Sequence, residues 1–151
     1  MIISMIAKRM GRSLFDIMSQ DHIDTDALLK VYADDCTYGG TSDFGVEATV
    51  KGKKAIAEWH RRYLEDFPKL KFTVKNICIR ETFPLLSAFI GTIVIMTEWS
   101  LTQTDKEGKE SRYDGITVSY AKRMKAVYVS EYVSFRGLPQ LSTLMKESGK
   151  A

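Results

Sequence analysis

The stretch AVYVSEYVSF, residues 126–135, sets one acid among apolar residues. On a strand Val127, Val129, Glu131, Val133 and Phe135 share one face, while Tyr128, Ser130, Tyr132 and Ser134 share the other. An acid on an apolar face is costly unless it is paired, protonated or used. Shielded from water, its pKa rises toward neutrality. It can then take a proton from carbon next to a carbonyl, and a second acid can return that proton elsewhere. Two more acids are candidates for the second role. Asp114 shares a face with Ile116, Val118 and Tyr120 in SRYDGITVSYA, and Glu98 follows Val94 and Met96 in IVIMTEWS.

Hairpin geometry relates the three. A two-residue turn at Arg123-Met124 sets Ile116 opposite Glu131 and Val118 opposite Val129. A three-residue loop in DKEGK, with Gly108 in the left-handed position, sets Glu98 opposite Ile116. Glu98, Ile116 and Glu131 then form one row, its outer acids about 10 Å apart, with Asp114 diagonal to Glu131 at ~7–8 Å. The expectation is a concave surface holding Glu131 as general base and Asp114 or Glu98 as general acid. Tyr38, Trp59, Tyr63, Trp99 and Tyr120, with Met96 and Ile116, are expected to line it for a flat or fused-ring ligand. The plainer alternatives are acids held in ion pairs with Arg80 or Arg112, and aromatics that are simply core.

The elements that must carry these residues follow from periodicity. RSLFDIMSQ puts Leu14, Phe15 and Met18 at helical spacing. A second helix starts at Asp24 or Thr25, with Asp26 in its first turn. YGGTSDFGVEATVKG is turn-rich with one short strand. KKAIAEWHRRYLEDFP is a helix with the stripe Ile56, Trp59, Tyr63 and Phe67, ended by Pro68. His60 borders that stripe as a packing residue. From residue 70 the period is two, and the apolar parity shifts between Val74 and Ile77, as at a β-bulge. Strands follow at about 87–102, 111–122 and 126–135. GLPQLSTLMKE closes the chain as a loop and a tail helix at about 138–147. This order gives a single α+β domain over residues 1–151, its core at about 12–136: a curved antiparallel sheet wrapped over helices.

Bulk composition narrows the function. The chain has 151 residues, 44% hydrophobic and 27% charged, with 22 basic and 19 acidic residues for a net charge of +3. That charge is small and dispersed, which argues against a nucleic-acid partner. Cys36 and Cys78 with only His22 and His60 assemble no zinc spacing, and reduced cysteines suit the cytoplasm. MIISMIA is too short to span a membrane or to form a secretory leader, and is expected to pack on the domain or on a partner. The acidic run after residue 20 lacks the glycine and glutamate of a calcium loop. GKKA is no phosphate loop.

The order of elements, with VYADDCTY, VKGKKAIAEWHRRYLEDFPKLKFTV, SRYDGITVSY and VSEYVSF, resembles the SnoaL-like polyketide cyclases of the NTF2-like superfamily, relatives of ketosteroid isomerase and limonene epoxide hydrolase. The resemblance spans about residues 12–136. It implies a cone with helices closing an internal apolar pocket, a homodimer formed through the sheet, and carboxylate catalysis without metal or organic cofactor. The family's terminal strand often has Asp-Tyr-x-Asp. EYVS matches it with Glu131 for the first acid and Ser134 for the second. The epoxide-hydrolase pattern Arg-x-Asp meets MTE, where Glu98 matches the acid and Met96 replaces the arginine that bridges two acids. A lyase or hydrolase is therefore less well supported. The resemblance implies a cyclase or isomerase acting on a small apolar carbonyl compound, against the alternative of a non-catalytic ligand-binding or dimerisation module.

Overall fold

The computed structural model describes residues 2–19, 24–42, 47–81 and 91–134. Its elements are α1 (Ile2–Met18), α2 (Thr25–Val31), β1 (Tyr32–Ser42), β2 (Glu47–Lys51), α3 (Lys53–Asp66), β3 (Lys69–Glu81), β4 (Ile93–Thr104), β5 (Glu110–Lys122) and β6 (Lys125–Ser134). The expected tail helix at 138–147, Phe135 and the first residues of the strand expected from 87 lie outside the described residues. The apolar N-terminal stretch continues into α1 rather than standing apart. The turn-rich segment after α2 holds two strands, not one.

Local signals explain the boundaries. Asp24 caps α2, its carboxylate accepting from the Ala27 amide at 3.0 Å. That bond satisfies a first-turn N–H that the helix cannot. α3 ends at Asp66, two residues before Pro68, and the residue preceding a proline is pushed out of the helical region. The β4–β5 loop is held by Asp105, whose carboxylate accepts from the amides of Glu107 and Lys109 at 2.9 and 2.8 Å. Gly108 takes the left-handed conformation there, with φ of 85°.

The strands form one six-stranded sheet in the order β2-β1-β6-β5-β4-β3. β1 pairs with β6 in parallel; every other neighbouring pair is antiparallel. The sheet is therefore mixed, which corrects the all-antiparallel expectation. A hairpin forces antiparallel pairing only between strands joined by a short turn, and nearly the whole domain separates β1 from β6. β3 carries its predicted irregularity between Val74 and Asn76.

The helices cover one face of the sheet. β4 alternates strictly, with Ile93, Ile95, Thr97, Trp99, Leu101 and Gln103 buried. Under α1, Phe15, Phe72 and Trp99 form an aromatic cluster, Phe15 and Phe72 with centroids 5.3 Å apart and Phe72 and Trp99 5.4 Å apart. Under α2 and α3, Leu28, Ile56, Tyr32, Cys36 and Val129 are fully buried. Each such side chain contributes roughly 1.5–3 kcal/mol by leaving water, so this covered face holds the fold together.

Candidate active site

Glu131 lies on the covered face, between Gly40 of β1 and Thr117 of β5 in the sheet register. Its neighbour on one side has no side chain. A Cβ built on Gly40 would meet the Glu131 carbonyl oxygen at 3.7 Å and its Cβ at 3.9 Å, ordinary contact distances. On the other side the Thr117 hydroxyl donates to Glu131 Oε1 at 3.3 Å. Tyr38, buried on the same face, also hydrogen-bonds the carboxylate.

Burial raises the Glu131 pKa above the ordinary carboxylate range, and the bonds from Tyr38 and Thr117 offset part of that rise. Desolvation disfavours the charged form, whereas donors aimed at the carboxylate favour it. Two further phenols sense the charge. Tyr32 and Tyr63 have pKa values raised first by burial, with the nearby Glu131 carboxylate adding to it. All three phenols are thus neutral hydrogen-bond donors at physiological pH.

Helix α3 completes the wall. Trp59 stacks on Tyr63 with centroids 5.6 Å apart, and Tyr38 lies 5.3 Å from Trp59 and 5.2 Å from His60. The Tyr63 hydroxyl donates to Gln103 Oε1 at 2.5 Å. The Tyr32 hydroxyl is 3.4 Å from His60 Nε2. His60 is buried, and loss of hydration lowers its pKa to about 4, so its imidazole is neutral at pH 7. The helical stripe places aromatics beside Tyr38, and β6 supplies the acid.

Comparison with known proteins fits this arrangement. The sequence matches the SnoaL-like domain over residues 12–123. The chain belongs to the SnoaL-like domain family. No curated protein matches it. Among solved structures of the same fold is an epoxide hydrolase of the limonene-epoxide-hydrolase type from M. tuberculosis. It is 15% identical, with 96% of each chain covered and a TM-score of 0.66. A protein with a ketosteroid isomerase-like fold from Catenulispora acidiphila, solved with trimethylamine, is 14% identical. The match covers 83% of this chain and 85% of that one, with a TM-score of 0.64. An NTF2-like protein of unknown function from an Exiguobacterium species is 18% identical over 82% and 97% of the two chains, at 0.62. These likenesses establish the NTF2-like fold.

Within this SnoaL-like domain the other expected acids do not join Glu131. The Arg123-Met124 turn forms as expected, and Ala121 pairs with Ala126. A register shift then follows, and Tyr120 pairs with Tyr128. The extra residue, Val127, moves every later pair by one, so Thr117 faces Glu131 and Ile116 faces Tyr132. A one-residue slip turns the whole set of side chains over. The Glu98–Ile116 pairing holds, but both residues lie on the opposite, uncovered face. Glu98 there accepts from the Asn76 amide at 2.6 Å. Asp114 accepts from Lys75 Nζ at 2.7 Å and Ser100 Oγ at 2.5 Å, and these bonds hold its pKa below the usual range. Its partner is Lys75, not Arg80 or Arg112.

The expected lining residues divide the same way. Tyr38, Trp59 and Tyr63 gather around Glu131, and Trp99 is buried on the same face. Met96, Ile116 and Tyr120 are 45, 41 and 40% exposed on the outer face. The sequence pattern did not single out Tyr32, Gly40, Gln103 or Thr117, and it read His60 as a packing residue, which its burial fits. Thr117 and Gln103 were hidden by the expected register, which turned Ile116 and Val118 of β5 and Glu98 of β4 inward and therefore these two outward. Tyr32 was hidden by its place at a helix-to-strand junction. Among the described residues no group of histidines, cysteines and acids could hold a metal ion. No helix among them is long and apolar enough to cross a membrane.

Proposed function

We propose that this SnoaL-like domain is a cofactor-free acid–base enzyme, an isomerase or cyclase acting on a small apolar carbonyl compound. Glu131 is its general base. The carboxylate removes a proton from carbon next to the carbonyl, and the electron pair moves onto the carbonyl oxygen as an enolate. The protonated Glu131 then returns the proton at another carbon, or the enolate carbon adds to a second carbonyl of the same molecule, whose π bond breaks and whose oxygen takes the Glu131 proton as a hydroxyl. Neutral Tyr38 donates to the carboxylate in the resting state and to the developing oxyanion as the charge moves there. One acid thus performs both transfers, and the expected second acid is replaced by a phenol.

The observation that carries this reading is Glu131 itself. Its carboxyl is deep enough for burial to raise its pKa, yet the residue keeps partial solvent access. Trp59 and Tyr63 also stay partly accessible, although both pack against the core. Deep groups that still touch solvent are what the lining of a chamber presents. The family, with isomerases, cyclases and epoxide hydrolases among its structural relatives, supports the same chemistry.

The test compares wild type with Glu131→Gln in D₂O against a panel of cyclic ketones, following α-proton exchange by NMR and binding by thermal shift. Both proteins are expected to bind, and only wild type to exchange protons, with a loss of at least about 100-fold in the variant. Equal exchange by both would refute the role of Glu131.

A second reading, a ligand-binding module without catalysis, is favoured by one observation: Tyr38 and Thr117 already satisfy the carboxylate. Binding by both proteins with exchange by neither selects it. For a partner we propose a second copy of the chain, docked through the outer sheet face that presents Met96, Ile116 and Tyr120.

A further inference from the structure

The mid-strand glycine of β5 faces the largest buried side chain of β4. Gly115 pairs directly with Trp99 in the register. A Cβ built on it would meet three ring carbons of Trp99 at 2.4, 2.5 and 2.9 Å. The indole therefore occupies the space over Gly115 that a side chain would fill, and it reaches along β5. There its Nε1–H donates to Thr117 Oγ1 at 2.8 Å, a bond between two buried residues. The same oxygen carries the hydrogen that goes to Glu131 Oε1 at 3.3 Å.

Donor and acceptor chemistry gives this chain a direction. An indole N–H can only donate, and a hydroxyl has one hydrogen and two lone pairs. With one lone pair taken by Trp99, the Thr117 hydrogen is free to turn to the Glu131 carboxylate. When Glu131 is protonated, the second lone pair can accept from the carboxylic acid while the indole bond persists. Both protonation states of the acid are therefore accommodated without moving a side chain.

We infer that Trp99 is a positioning residue for Glu131, acting through Thr117, and that Gly115 is present to give the indole its seat. This rests on the reading of Glu131 as the acid–base group. It adds that the orientation of the acid is set from β4, two strands away, by a residue otherwise indistinguishable from core. A glycine inside a strand weakens it, and the indole seat accounts for its presence here. The other groups facing Glu131 are Tyr38 and Tyr32 from β1 and Tyr63 from α3, with His60 behind Tyr32.

The experiment is a pH titration of the Trp99 indole cross-peak in ¹H–¹⁵N NMR spectra, identified as the one retained in Trp59→Phe. The chain predicts that this peak shifts with the same midpoint as the Glu131 carboxyl. The shift should vanish in Glu131→Gln and in Thr117→Val, and survive in Thr117→Ser, which keeps the hydroxyl. A peak that does not titrate, or that titrates unchanged in Glu131→Gln, overturns the inference. So does a shift that persists in Thr117→Val, and should that variant fail to fold, Glu131→Gln decides alone. Because no substrate is involved, failure here is separate from failure of the proposed reaction, which is read by proton exchange.

Discussion

Desolvation of Glu131 and of His60 has opposite consequences for stability. Burial lowers the folded pKa of His60 from 6.5 to about 4. Between those values the unfolded chain binds a proton that the folded chain refuses, so stability is full above about pH 6.5 and falls as pH drops toward 4. The loss is on the order of 3 kcal/mol. Chemical denaturation of His60→Gln across that window should show a smaller decline, by about the same amount. An equal decline in both proteins would mean that the imidazole is not buried neutral. Glu131 works the other way. Its raised folded pKa means the folded state keeps a proton the unfolded state has lost, so stability falls as pH rises from 4.5 through the folded value. Glu131→Gln should therefore be more stable than wild type at pH 8, with little difference at pH 4. The acid was visible in the sequence because an alternating strand with one charge on its apolar face has few explanations. His60 was not, since a histidine beside a helical stripe looks the same whether it borders the core or lies inside it.

At the scale of elements, one residue decides the arrangement of the site. The bulge in β3 and the glycine of the β4–β5 loop are legible in the sequence, because each leaves a mark: a parity shift, or a Gly at the left-handed position. The slip between β5 and β6 leaves none. Val127 is apolar and sits in an alternating run, so the hairpin counted without it turns Asp114 and Ile116 inward on paper. The turn itself carries strain. Arg123 and Met124 have φ of 49° and 62°, where a side chain costs about 1–2 kcal/mol. Met124 packs on the Ile93, Ile95 and Ala121 cluster, but Arg123 is exposed. Arg123→Asn should therefore raise stability by about 1 kcal/mol in urea unfolding, and no gain would contradict the left-handed turn. Gly115→Ala pushes a methyl into the Trp99 ring and should cost about 1–3 kcal/mol. A neutral substitution would show that the indole does not lie there.

At the scale of the whole molecule, the two faces of the one sheet differ in character. The covered face holds the core and the candidate site. The outer face presents Met96, Ile116, Tyr120, Tyr128 and Tyr132, all 40 to 51% exposed, with Tyr120 and Tyr128 packed edge to face at 5.7 Å. Large exposed apolar patches mark interaction sites, and a two-fold dimer buries the same patch on both subunits. Analytical ultracentrifugation should find a dimer for the wild type and a monomer for the double variant Ile116→Asp, Tyr132→Asp. A wild-type monomer at micromolar concentration would remove the proposed partner. Fold class followed from the order of elements, while the use of each face depended on a register that the sequence does not mark. The proposed chemistry depends on the enclosure of one carboxyl group, which ¹³C NMR titration of the Glu131 side chain reads directly. A midpoint clearly above 4.5 is the predicted result, and one at or below 4.5 would contradict it.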